Sequence, residues 1–285
     1  MTETASAQAA IARVLYATDF SQQAATALPY AVTIARKYGA TLLPVHVVSP
    51  GPLPADFPSQ SWQAVVAQAI REARASMKSL EPKWKDVPHK TRICCGDAGI
   101  ELCKIVRDEN IDLIVLGTHG RTGVRKALLG SVAEKVFRHA TCLVLTVGPN
   151  VSAQPDNLAE LHAILCPADL SAESGAALRY ALSLARENDA RLYLLHVVQS
   201  ESDADEEILA ARLRGLAPAE AGLSCAPKIC VQTGNPAEKI LQLAEELAVD
   251  LIVLSPKRHS GIPGTMATAY RVATQAICPV LTVRG

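Results

Sequence analysis

Residues 14–48 read VLYATDFSQQAATALPYAVTIARKYGATLLPVHVV, and residues 164–198 read ILCPADLSAESGAALRYALSLARENDARLYLLHVV. The two stretches align without a gap, and fourteen of the 35 positions are identical, among them Asp19, Ser21, Tyr30, Arg36, His46 and Val47. Two shorter blocks repeat as well. Asp112-Leu-Ile-Val-Leu-Gly117 matches Asp250-Leu-Ile-Val-Leu-Ser255, and Cys142-Leu-Val-Leu-Thr-Val147 matches Cys278-Pro-Val-Leu-Thr-Val283. A period this long duplicates a whole domain, since solenoid units run only ~20–50 residues. The expected organisation is a first domain at 1–148, a linker at 149–161 and a second domain at 162–285.

Inside one copy the hydrophobic pattern alternates in kind. Val14–Ala17 is a short apolar strand. Ser21 can cap a helix running to Tyr38, in which Leu28, Ala31, Ile34 and Ala35 recur at helical spacing and which Gly39 can stop. Thr41–Val48 reads as a second strand, Gln60–Leu80 as a helix and Pro88–Cys94 as a third strand. Ile100–Glu109 is a helix, Asp112–Gly117 a strand, Ser131–His139 a helix and Cys142–Val147 the last strand. The strand cores are apolar throughout, as in strands covered on both faces. Such alternation predicts an α/β fold, with two tandem doubly wound, Rossmann-like domains of five parallel strands each.

Composition narrows the function classes. Lys+Arg and Asp+Glu both number 28, so the formal net charge is zero. A nucleic-acid binder usually carries a basic excess, so nucleic acid is not the expected partner. Aromatic residues are only 4% of the chain, which argues against base-stacking platforms. No apolar run approaches the ~20 residues of a membrane span. The amino terminus, MTETASAQAA, has neither the basic nor the apolar region of a secretory leader. A cytoplasmic location with reduced cysteines is therefore expected. The adjacent Cys94 and Cys95 read better as buried strand thiols than as a redox pair.

The residues that point to chemistry follow the fourth strand: Gly117-Thr-His-Gly120-Arg-Thr-Gly-Val-Arg-Lys-Ala-Leu-Leu-Gly130-Ser131. The spacing is G-x2-G-x9-G-S, between a strand and a helix. Gly117 ends a parallel strand at its carboxyl edge, where open α/β sheets bind ligands. A glycine there would let the backbone approach a ribose, and Gly120 permits the next turn. Gly130, Ser131 and Val132 open a helix whose free N–H groups suit an anion. Arg121, Arg125 and Lys126 can offset phosphate charge. The plainer alternative is a glycine loop with a capping serine.

This motif resembles the ATP-binding signature of the universal stress protein family, and the chain looks like a tandem-domain member. The resemblance extends to Asp19 and Asp169 after strand one, and to His46-Val47 and His196-Val197 in strand two. It implies that the Asp19 carboxylate lies in the adenine-ribose pocket, with the backbone of Ala17 and Thr18 beside it. Asp19 could instead only turn the chain into the first helix. Val47 matches the residue whose backbone reads the adenine edge, and Leu116 should pack on the base. His119 either touches phosphate or is an ordinary exposed histidine. His46 recurs as His196, which favours a shared core role over catalysis.

The second copy departs from the motif. Ser255, Pro256 and Arg258 replace Gly117, Thr118 and Gly120, and Met266-Ala267 replaces Gly130-Ser131. A Gly264-Thr265 pair with Lys257 and Arg258 leaves a different anion site open. The expected function is a stress-response protein that binds ATP (or ADP or AMP), with a divalent metal such as Mg²⁺, as a ligand or switch in the first domain. The alternatives are a slow ATPase and a non-enzymatic interaction scaffold. No G-x4-G-K-[ST] loop is present, so no catalytic residue is assigned and at most weak hydrolysis is expected. Single-domain relatives pair through their last strands. Here Leu143–Val147 and Val280–Val283 would pair within the chain as a pseudo-dimer, with a further homodimer left open.

Overall fold

A computed structural model describes residues 11–51, 58–120, 129–152, 160–171, 174–198, 205–216, 222–256 and 265–284. They fall into two compact units, one spanning Ala12–Pro149 and one built on Asn150–Gly285. In the first, β1 (Arg13–Ala17), β2 (Thr41–Val48), β3 (Arg92–Cys95), β4 (Leu113–Gly117) and β5 (Leu143–Val147) alternate with helices. These are α1 (Gln22–Tyr38), α2 (Ser59–Leu80), α3 (Ala98–Asp108) and α4 (Ser131–His139). The strands are parallel in the order β3-β2-β1-β4-β5. The chain thus winds outward one way from β1 and the other way from β4. Their adjacent carboxyl ends form the switch point at which such sheets open a crevice.

The second unit repeats the plan. Its strands are β6 (Ala163–Pro167), β7 (Arg191–Val198), β8 (Lys228–Thr233), β9 (Leu251–Leu254) and β10 (Val280–Thr282). Its helices are α5 (Ser174–Asn188), α6 (Glu206–Leu216), α7 (Pro236–Glu246) and α8 (Thr265–Gln275). The order is β8-β7-β6-β9-β10, again parallel.

The duplication reaches single backbone angles. Phe20 and Leu170 both turn the chain after strand one with left-handed φ of 64° and 62°. Asn110 and Ala248 share φ of 48° and 46° before strand four. Gly39 ends α1 at φ 63°, and Asp189 takes its place at φ 55°. A left-handed conformation costs an ordinary residue roughly 1–2 kcal/mol, so the surrounding packing must hold Phe20 and Leu170 there. Ser21 caps α1 as expected, its hydroxyl accepting the Ala24 N–H at 3.2 Å.

The aspartate that opens each D-L-I-V-L block has a structural use. Asp112 Oδ2 accepts the N–H groups of Ala12 and Arg13 at 2.8 and 2.9 Å. Asp250 Oδ2 accepts those of His162 and Ala163 at 2.7 and 2.9 Å. Each carboxylate pins the start of strand one to the start of strand four.

Two expectations are corrected. Strand three begins at Arg92 rather than Pro88. Pro88–Lys90 touches β2 only through an isolated bridge at His89, and Pro88 itself has no N–H to donate. Cys94 is only half-buried and Cys95 is exposed, because β3 is the outermost strand of its unit; the buried thiols are Cys103, Cys166 and Cys278. The linker is anchored at both ends of its described part. Val151 and Leu161 are buried, and Asn150 Nδ2 donates to Gln275 O at 2.9 Å. Among the described residues no helix is long and apolar enough to cross a membrane.

Candidate functional site

The carboxyl ends of β1 and β4 bring the two parts of the expected site together. After β4, Thr118 donates its N–H to Val147 O at 3.1 Å, which carries the chain out over β5. It returns at Gly130, whose N–H donates to Thr118 O at 2.8 Å. The Thr118–Gly130 bond thus forms a closed neck between the two flanks of the motif's x9 stretch. The space a Cβ would fill shows what each glycine is for. At Gly130 it would meet Thr118 O at 3.1 Å, and at Gly120 it would meet Asp19 Oδ2 at 2.9 Å. At Gly117 it would meet the backbone of Gln23 at 3.1 Å. A Cβ at Gly117 would therefore crowd the first turn of α1, a constraint that the motif spacing does not show. Gly120 leaves the space into which Asp19 Oδ2 reaches.

The turn role of Asp19 is visible in its contacts. Its Oδ1 accepts the Ser21 N–H at 2.9 Å, which turns the chain into α1, while Oδ2 faces Gly120. Thr18 is more committed than expected. Its N–H goes to Val45 O at 3.0 Å, its carbonyl accepts from His46 Nδ1 at 2.8 Å, and its hydroxyl accepts from Phe20 N–H at 3.0 Å. The backbone N–H of Thr18 is therefore closed to a ligand. His46 is a structural strut, as its recurrence suggested: His196 Nδ1 donates to Ala168 O at 2.7 Å in the second unit. Beneath, the Tyr16 hydroxyl donates to Ala24 O at 2.7 Å. Burial, with the Asp19 charge adding to it, pushes that phenol up to about 12, so it remains a donor at neutral pH.

His119 is not the exposed histidine of the plainer alternative. Its Nδ1 lies 2.9 Å from the Thr118 hydroxyl, and its Nε2 is buried with no partner among the described residues. Buried polar atoms normally find a partner, so this nitrogen calls for one. Ser131 is exposed at the start of α4, with Gly130 as the N-cap and no side chain capping it. The first N–H groups of an α-helix have no partner within the helix.

The apolar side of the site is one cluster. Ala17 and Leu116 belong to the core on this face, and Val47, Cys94, Leu129 and Val132 pack against it half-buried. Leu116 is therefore a core residue, only 3% exposed. Val47 stands where β2 outruns β1, whose last register partner is Val45. The helix behind the site is tied down by Lys135, whose ammonium meets Asp97 Oδ2 at 2.6 Å. That contact holds the Asp97 carboxyl below its ordinary range, first through the hydrogen bond and then through the Ile100 N–H it caps. Arg121, Arg125 and Lys126 lie outside the described residues, as do Lys257, Arg258 and Gly264. Among the described residues no three His, Cys, Asp or Glu side chains group as a metal site.

The second unit keeps the frame around the end of its first strand. Asp169 Oδ1 accepts the Ser171 N–H at 3.0 Å and its hydroxyl at 2.5 Å. Position 256 is a buried proline, which cannot make the N–H bond that Thr118 makes. Sequence reasoning missed one residue here. Gln232, the register partner of Val197, has a buried Oε1 with no partner among the described residues.

Comparison with known proteins agrees with this architecture. The model of the universal stress protein family matches residues 10–148 and again 160–284. A universal stress protein of Methanocaldococcus jannaschii is 32% identical over 138 residues, covering 47% of this chain and 81% of the relative. A universal stress protein A homologue of Coxiella burnetii is 34% identical over 137 residues, covering 47% of this chain and 94% of the relative. The crystal structure of a universal stress protein from Archaeoglobus fulgidus superposes with a TM-score of 0.72 at 21% identity, covering 95% of this chain and 98% of that one.

Proposed function

The chain belongs to the universal stress protein family, with two family domains in tandem, and from that premise we propose that its first domain binds ATP as a ligand that switches the protein in a stress response. ADP and AMP fit the same reading. The observation that carries it is the closed Thr118–Gly130 neck, which sets the start of α4 beside His119, whose Nε2 is buried without a partner among the described residues. With Nδ1 accepting the Thr118 hydroxyl, Nε2 carries the ring proton and can donate to an anionic oxygen. The N–H groups and hydroxyl at Ser131 and Val132 add donors where the helix dipole favours negative charge. Asp19, held against Gly120, accepts from a sugar hydroxyl, while Val47 and Val132 offer apolar surface. A bound nucleotide supplies phosphate charge and a base; a divalent cation such as Mg²⁺ would arrive with the phosphates and be held mainly by them.

The sequence holds no G-x4-G-K-[ST] loop, and on this reading binding rather than turnover is the output. Titration calorimetry with ATP should give about one site per chain. At one hundred times the dissociation constant, ligand should stabilise the fold by roughly 2.7 kcal/mol. Two equal tight sites would overturn the assignment to one domain. Turnover at ~1 per second or faster, abolished by Ser131→Ala, would make the protein an ATPase instead.

A further inference from the structure

Gly99 lies buried in the first turn of α3, where alanine would be the better helix former. Space explains the glycine. A Cβ at this position would meet both the Cβ and the Cδ of Lys135, on α4, at 2.6 Å. Ordinary carbon contacts lie at ~3.5–4.0 Å, so a methyl group would push the two helices about 1 Å apart. The Lys135 Cβ is bonded to the backbone of α4 and cannot swing aside. Two further contacts converge on the same lysine. Its ammonium reaches Asp97 Oδ2 at 2.6 Å, and its carbonyl accepts the Cys103 S–H at 3.9 Å. Gly99 and Cys103 stand an i,i+4 step apart, on one face of α3. Lys135 in turn stands one helical turn, or about 6 Å, beyond Ser131 in the short helix α4. A displacement at Lys135 therefore reaches the helix start at Gly130 and Ser131.

The second domain lacks this fit. Ala237 follows the cap Asn235 as Gly99 follows the cap Asp97, and its methyl is buried, with the residue 3% exposed. Arg271, at the Lys135 position, pairs with Glu238 at 3.1 Å rather than with the cap. We propose that Gly99 is a positioning residue for the phosphate end of the first-domain nucleotide site, setting through Lys135 where the start of α4 stands. This inference rests on the ATP reading of that site. It adds that preference for a phosphorylated nucleotide over a bare nucleoside depends on the spacing of α3 and α4, and not on the motif residues alone. Gly130, Ser131 and Val132 supply the donors, and the spacing decides whether they meet the anion. Binding groups must be held within ~0.5 Å of their productive positions, so a shift of about 1 Å is enough to lose one.

The test is titration calorimetry of the full chain with ATP and, separately, with adenosine, which has no phosphate. Gly99→Ala should lower ATP affinity at least about tenfold, the equivalent of one lost hydrogen bond to a charged oxygen, and leave adenosine affinity unchanged. Lys135→Gly removes the opposing Cβ and closes a double-mutant cycle. In that background Gly99→Ala should cost ATP affinity no more than about twofold. In ligand-free protein the amide resonances of Ser131 and Val132 should shift in Gly99→Ala, and in the double variant they should match those of Lys135→Gly. Equal losses for ATP and adenosine would mark general loosening and overturn the proposal, as would unchanged ATP affinity or unmoved resonances. If Gly99→Ala alone does not fold, the cycle decides. A double variant with the ATP affinity of Lys135→Gly supports the proposal, and a double variant that is tenfold weaker or unfolded overturns it. Wild type that binds no ATP is a separate result, which overturns the proposed function and this inference with it. A failure confined to the variants leaves the proposed function standing.

Discussion

The strand-four-to-helix segment exists twice in this chain, and the two versions differ where a ligand would sit but not where the fold is held. In the first domain Gly130 folds back on Thr118 O, and Asp19 reaches Gly120. In the second, position 256 is a proline and Met266-Ala267, the sequence counterparts of Gly130-Ser131, lie inside the first turn of α8, which already begins at Thr265. Yet the aspartate clamps at 112 and 250, the histidine struts at 46 and 196 and the left-handed turns at 20 and 170 are the same in both. Packing and backbone hydrogen bonds hold the residues that the two copies share, and the residues that differ are those of the proposed ligand site.

The largest effect that would break this comparison is on nucleotide affinity. Gly130→Val puts a branched side chain against Thr118 O, where even a Cβ would sit at 3.1 Å. The neck must open, and ATP affinity should fall at least about tenfold, or about 1.4 kcal/mol. Ala267→Val changes the matching position of the second domain, which is exposed at the surface of α8, and should leave ATP affinity unchanged. Calorimetry on the two variants, with circular dichroism to show that both fold, checks this. Equal losses would mean that the two loops are not the functional contrast drawn here.

The next effect is on stability, and here the domains should behave alike in kind. Asp250 is only 9% exposed, while Asp112 is half-buried. Removing either carboxylate strands two backbone N–H groups. The cost should be about 2–4 kcal/mol for Asp250→Ala and about 1–2 kcal/mol for Asp112→Ala. Urea unfolding of both variants gives the ranking, and the reverse order would show that burial does not set the cost.

How much of this could be read from the sequence depends on whether a residue's role is local. Ser21, Gly39 and the parallel strands announce themselves through spacing, because capping and hydrophobic periodicity act over a few residues. The histidine strut was legible only because the chain repeats itself. The meaning of Gly117 was not legible: its neighbour is Gln23, far away in sequence. Cys94 and Cys95 looked buried because a strand pattern does not say which strand is at the edge. Gln232 belongs to no motif, and its buried amide oxygen shows only once register sets it beside Val197. The candidate site residues that spacing points to, Gly120, Gly130 and Ser131, lie on one continuous stretch.

The smallest effect distinguishes the caps of the third crossover helix in the two domains. Asp97 caps α3 through the Ile100 N–H at 3.0 Å, and Asn235 caps α7 through Ala237 and Glu238 at 3.0 and 3.2 Å. The caps are equivalent, but only the aspartate also pairs with a lysine on the neighbouring helix, Lys135 on α4. Asp97→Asn should therefore keep the cap and lose only the ion pair. Both partners are nearly half exposed, at 45% and 44%, so the loss at neutral pH should be below about 1 kcal/mol. The sign with pH follows from the lowered carboxyl of Asp97. A depressed folded pKa contributes stability above the ordinary aspartate range, and that contribution disappears as pH falls through the folded value. Melting curves of wild type and Asp97→Asn should therefore differ slightly at about pH 7 and converge in acid, once Asp97 is protonated in the folded state. Salt should shrink the neutral-pH difference as well, since the pair is exposed to screening. A gap that persists unchanged into acid would place the contribution in the cap itself, and Asp97 and Asn235 would then differ as caps rather than as partners of a neighbouring helix.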